Sequence, residues 1–209
     1  MDKLKSLNLL FLFLFFCLTL FSQVRNDNSL IDSSINSMSI NKSDSIYWVD
    51  NFRQFRDAIY QNNKTKAKNY FDFPIDNGTN DLWYVVLENS NRSLSTFKDS
   101  SNLFTENDFD KNFNNLFSVQ FIHSFLKIKM NELYVNGESI SPDFTEDSTT
   151  YRMHATYSKI EKTIDLSLNI NSSLKISETE FDPYESSFIY QFEILKNGQI
   201  KFKKLFIAG

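Results

Sequence analysis

His123 and His154 are the only two imidazoles in the chain, and they set the first chemical question. A catalytic or metal-binding histidine needs a partner at fixed spacing. Neither has one: there is no HExxH pattern, and no cluster of Asp or Glu flanks either ring. His123 falls within a helical pattern and His154 on the polar side of an alternating one, so structural or solvent-facing roles are expected for both. The run Asp76-Asn77-Gly78-Thr79-Asn80-Asp81 has the oxygen density of a calcium loop. An EF-hand puts glycine sixth and glutamate twelfth, where this chain has Asp81 and Leu87, so a turn is expected instead. Glu178, Glu180, Asp182 and Glu185 gather around Pro183 and suit a solvated loop between strands better than a cation site. Serine is abundant, but no GxSxG elbow is present. The residues therefore name no catalytic group, no metal ligand and no cofactor.

What is left is aromatic. Trp48, Phe52 and Phe55 could line an apolar ligand pocket from one side, with Tyr151, Met153 and Tyr190 facing them from strands. The same residues would serve equally well as packed core. Which role they take depends on the elements that carry them.

Those elements follow an export signal. Lys3 and Lys5 precede an apolar run from Leu9 to Phe21 that only Thr19 interrupts. The apolar core of a secretion signal spans about 7 to 15 residues, whereas a bilayer needs roughly 20. Residues 1–22 thus read as a signal peptide, which makes the protein secreted or periplasmic, with no transmembrane span in the mature form. Cys17 lies inside the apolar run behind bulky Phe15 and Phe16, against a lipid-attachment role. Residues 23–44, rich in Ser, Asn and Asp, read as a flexible polar tether. Residues 45–209 are long enough for a single domain with its own core. That core should be built from large rings, since the chain has 22 phenylalanines. A formal net charge of −4 gives no electrostatic case for nucleic acid as a partner. Lys64, Lys66 and Lys68 read as a solvated helix face.

Within the domain, Trp48, Phe52, Phe55 and Ile59 recur at helical spacing, and Gln61-Asn62-Asn63 ends that helix. A short helix over residues 65–71 should stop at Pro74. Leu82 to Leu87 is a continuous apolar run of strand length. Thr105 and Asp108 form a capping arrangement for a helix through Phe109, Phe113 and Phe117 that is expected to run on to Leu126. After Lys129 the period becomes alternating. Tyr151, Met153, Ala155 and Tyr157 point one way, and Ile164, Leu166, Leu168 and Ile170 repeat the pattern, as half-buried antiparallel strands do. Asn77-Gly78, Asn136-Gly137 and Asn197-Gly198 each mark a tight turn. At the last of these, a three-residue turn with a bulge sets Ile194 opposite Ile200, Phe192 opposite Phe202 and Phe188 opposite Phe206. A two-residue turn would match none of these, so the bulged hairpin is favoured.

Helices first, then paired strands and a closing hairpin: that order resembles the NTF2-like (cystatin-like α+β) superfamily, in particular uncharacterised secreted bacterial proteins of that type. The residues carrying the likeness are 48–56 (WVDNFRQFR), 69–74 (NYFDFP), Tyr190-Gln191-Phe192, Asn197-Gly198, Phe202 and Ile207-Ala208-Gly209. The resemblance implies an α+β fold in which N-terminal helices pack on a curved antiparallel sheet of four to six strands, forming a cone with an apolar pocket. Such proteins include isomerases and hydratases as well as pure binders, and they pair through the open sheet face, which leaves a homodimer open. No acid–base motif of the family finds a match here. The expected function is therefore an exported, non-enzymatic module that binds a small apolar ligand or a protein partner. The alternative is an isomerase, hydratase or hydrolase with one acid or base in the cone.

Overall fold

A computed structural model describes residues 47–76, 78–90, 103–175 and 181–209. Residues 1–46, which hold the expected signal and tether segments, and Glu178 and Glu180 of the acidic stretch lie outside the described residues. The described residues all belong to one compact unit, 43–209.

Helix α1, Tyr47–Tyr60, buries Trp48, Val49, Phe52, Phe55, Ala58 and Ile59, the stripe its spacing announces. It stops where Asn62 takes a positive φ of 51°, a conformation asparagine tolerates. Asn63 then caps α2, Lys64–Lys68, by accepting from the Lys66 N–H at 3.0 Å. The lysines of α2 are not all a solvated face. Lys64 Nζ donates to the Asp110 carbonyl at 2.6 Å, and Lys68 Nζ pairs with Asp110 and Glu106 at 2.6 and 2.9 Å. Two of the three thus fasten α2 to a later helix.

After the short β1, Ile75–Asp76, the apolar run expected as a strand is helix α3, Asp81–Glu88. A run apolar on every side carries no period, so strand and buried helix look alike in it. The helix wins because it buries Leu82, Val85 and Val86 together while Glu88 stays exposed. It also sets Tyr84 and Glu88 one turn apart on a shared face. Strand β2, Leu103–Phe104, pairs with β1, Ile75 opposite Phe104.

The long helix expected from Thr105 to Leu126 is two. Thr105 and Asp108 form the capping box of α4, Glu106–Leu116. The chain then leaves helical geometry at Phe117, and Ser118 caps α5, Val119–Leu126, by accepting from the Phe121 N–H at 3.2 Å. Serine's side-chain oxygen competes for backbone N–H groups and so favours such a restart. Residues 130–136, expected to alternate, form α6, Met130–Asn136. Asn136-Gly137, expected as a tight turn, is its left-handed C-cap, with the Gly137 N–H on the Leu133 carbonyl at 3.1 Å.

The strands β3 (Glu138–Ile140), β4 (Phe144–Glu146), β5 (Thr149–Ser158), β6 (Thr163–Lys175), β7 (Phe181–Ile194) and β8 (Ile200–Ala208) form one open antiparallel sheet. Its order is β3-β5-β6-β7-β8, with β4 also on β5. The class is α+β. The expected pairs Ile194–Ile200 and Phe192–Phe202 are present. Phe188, however, faces Ile207 and not Phe206, because a register shift between Gln191 and Phe192 leaves Lys203 without a partner. That extra residue lets Phe202 and Leu205 both turn inward while Lys203 and Lys204 face out.

Helices and sheet meet through rings. Phe55 lies 4.9 Å from Phe192 and 5.0 Å from Tyr70, Phe52 lies 5.3 Å from Phe125, and Phe121 lies 4.6 Å from Tyr190, centroid to centroid. These separations are those of aromatic side chains in direct contact.

Candidate binding groove

Five of the six aromatic and Met candidates sit in this packed interior. The Trp48 ring lies tilted 4.5 Å from that of Tyr157, and Phe52, Phe55 and Met153 are completely buried. Tyr190 is buried too, and its hydroxyl donates to the Leu116 carbonyl at 2.7 Å, at the end of α4. Burial pushes its pKa far above the ordinary tyrosine value, so it stays neutral. The sixth candidate, Tyr151, stands elsewhere, on a groove of about 720 Å³ at the far end of the sheet.

Register explains that wall. Thr149 pairs with Ser172, which pairs with Tyr184; Tyr151 pairs with Ile170, which pairs with Ser186; Met153 pairs with Leu168, which pairs with Phe188. Alternation turns these three rows to the helix side, so Leu168, Ile170 and Phe188 form an apolar floor with Tyr151 and Tyr184 at its margins. Ser186, between Tyr184 and Phe188 on the same face, keeps a buried hydroxyl with no hydrogen-bond partner among the described residues. The opposite wall comes from helix ends: Tyr84, Glu88 and Asn89 at the close of α3, Asn114 near the end of α4, and Ser118, Val119 and Gln120 at the start of α5.

Polar contacts orient this second wall. Asn89 donates to the Asn115 carbonyl at 2.7 Å, and Gln120 donates to Glu146 at 2.7 Å. The nearby Glu88 carboxylate, then burial, with Tyr184 a smaller cause, push Tyr84 up to about 12. Burial, then the Glu146 and Asp147 carboxylates, also push the Tyr151 hydroxyl upward. Glu88 is the one charged side chain on the groove's lining among the described residues.

The other sequence candidates lie away from the groove's lining. His123 packs its ring 4.2 Å from Phe144, and His154 meets Glu138 at 3.1 Å on the outer face of the sheet. Asp76 accepts from the Gly78 N–H at 2.9 Å, the turn expected there. Glu185 of the acidic stretch accepts from Asn171 at 2.9 Å. Among the described residues no His, Cys, Asp and Glu group is placed to hold a metal, and no helix is long and apolar enough to cross a membrane. Half of the groove's described lining residues escape sequence reading because they sit at the ends of α3, α4 and α5, where expected boundaries differ from the real ones. The one usable signal is Tyr84 and Glu88 at a spacing of one helical turn.

Comparison with protein-family models, curated proteins and solved structures finds no match for the chain.

Proposed function

We propose that this protein is an exported, non-catalytic binding module of the NTF2-like type, and that the groove takes its ligand. Export is supported by the basic start and the Leu9–Phe21 run. The family reading is supported by helices preceding an antiparallel sheet that ends in the β7–β8 hairpin. The observation that carries the binding role is the contrast between a ring-filled interior and an open groove of about 720 Å³. That volume falls in the range of small-molecule sites, and an apolar floor with polar margins is their usual composition. Glu88 stands exposed at the end of α3 and not enclosed as the single acid or base of a catalytic cone would be, which supports holding over transforming.

A mixed small-molecule library read by backbone amide shifts tests this. Shifts gathered at Tyr84, Asn114, Gln120, Tyr151 and Tyr184 are expected. Shifts gathered on the outer sheet face, or none from any library member, would overturn the proposal. A protein partner is the second reading, favoured by Val119, which stands 72% exposed at the rim.

A further inference from the structure

The groups that the groove leaves exposed select among ligands, an inference that rests on the groove being the binding site. We propose that it binds a neutral saccharide, with the carbon–hydrogen face of a sugar ring over Ile170 and the tyrosines and the sugar hydroxyls on the amides of the helix wall.

Exposure separates the ligand classes. Leu168 and Phe188 line the floor but are each only 2% exposed, whereas Tyr184 is 38% exposed and Asn114 is exposed as well. A ligand therefore meets phenol and amide groups more than hydrocarbon. A purely apolar ligand would cover those groups without pairing them. A peptide anchored by apolar side chains needs hydrocarbon pockets to fill, and the covered floor gives it little. Sugar hydroxyls donate and accept, as side-chain amides do. The Glu88 carboxylate, exposed at the end of α3, is a further acceptor for hydroxyls and a like charge to an acidic sugar.

The geometry suits a ring. Tyr151 and Tyr184 stand on β5 and β7, one row apart with β6 between them. Their Cα atoms are thus separated by about 10 Å across the sheet and about 7 Å along it. A sugar ring lies over Ile170 in that gap with a phenol on either side. The Tyr151 ring is 6.1 Å from that of Phe144, which is 4.2 Å from that of His123 on α5, so packing holds it in place. On the facing wall the bond to the Asn115 carbonyl orients the Asn89 amide, and the bond to Glu146 orients that of Gln120. Groups oriented before the ligand arrives lose less freedom when it binds.

The test titrates maltotriose, cellotriose and triacetylchitotriose into the full chain, with cyclohexanol and acetyl-trialanine amide as apolar and peptide probes, and follows backbone amide shifts. At least one trisaccharide should shift Tyr84, Asn114, Tyr151 and Tyr184 and bind about tenfold more tightly than either control. Tyr184→Ala and Asn114→Ala, both at exposed positions outside the packed core, should each weaken that sugar about fivefold. Ile160→Ala, at the exposed β5–β6 turn, should leave its binding unchanged. Groove shifts from cyclohexanol or the peptide as strong as those from every sugar would overturn the saccharide inference and leave the groove's binding role standing. Silence of all three sugars at tens of millimolar overturns it too, with the mixed library then deciding the binding role separately. Sugar binding that Tyr184→Ala and Asn114→Ala both leave intact would place the sugar elsewhere and overturn it as well.

Discussion

Gly198 occupies the point where the β7–β8 hairpin touches α1, and substituting it separates backbone strain from steric exclusion. Gly78, Gly137 and Gly198 share nearly the same backbone, with φ of 68°, 81° and 75°. They differ in what a Cβ would meet: nothing within 4 Å at Gly78, the Tyr157 carbonyl at 3.5 Å at Gly137, and the Tyr47 Cβ at 2.5 Å at Gly198. Alanine in this left-handed region costs about 1 to 2 kcal/mol at each site, offset by about 0.4 to 1 kcal/mol from a stiffer unfolded chain. At Gly198 the overlap adds about 1 to 3 kcal/mol, since carbon atoms normally approach to about 3.5 Å or more. Gly198→Ala should therefore destabilise by about 2 to 4 kcal/mol and Gly78→Ala by about 1 kcal/mol or less. Urea unfolding midpoints at constant slope measure the difference. Tyr47→Gly removes the opposing Cβ, so a double-mutant cycle should recover most of the extra loss. Equal losses at Gly198 and Gly78, or a cycle with no coupling, would refute the close packing of hairpin on helix.

Phe55→Ala should cost about 3 to 5 kcal/mol by urea unfolding, because the ring stands in contact with Phe192, Tyr70 and Phe117; a loss below about 1 kcal/mol would mean that the interior is not solid there. Tyr190→Phe should cost about 1 to 3 kcal/mol, since it strips the Leu116 carbonyl of its partner at 2.7 Å, and a neutral substitution would contradict that bond. Tyr84 ionises at about 12 against an ordinary 10.0, so the folded state holds its proton more tightly. Its contribution to stability is fully present below pH 10 and is lost as pH rises through about 12. Wild type and Tyr84→Phe should accordingly converge across that window, and a gap independent of pH would contradict the Glu88 contact. Mass spectrometry of the protein from the producing cell should find an N-terminus near Gln23 in the extracytoplasmic fraction; an intact chain kept in the cytoplasm would contradict export.

Periodic elements were legible in the residues, and aperiodic ones were not. Helix α1 shows itself through Trp48, Phe52, Phe55 and Ile59, and β5 and β6 through alternation that the register reproduces. Helix α3 hides because Leu82 to Leu87 is apolar on all sides. The break before α5 hides because Phe113, Phe117, Phe121 and Phe125 keep a four-residue spacing straight through it, with Ser118 the lone mark of a new start. In the hairpin, the adjacent Lys203 and Lys204 carry the signal of a second bulge, which is why Phe188 meets Ile207. The groove follows the same rule. Tyr151 is legible on a periodic strand, whereas Tyr84, Glu88 and Asn114 belong to helices whose ends the residues do not mark. Nor does a stripe of rings distinguish a pocket from a core, because both use the same side chains.

A crystal structure of the full chain soaked with a library member that shifts groove residues would examine the binding role at atomic scale. Density in the groove, over Leu168, Ile170 and Phe188, is the expected result. Density on the outer sheet face, or among Trp48, Phe52 and Phe55 with those rings displaced, would contradict it.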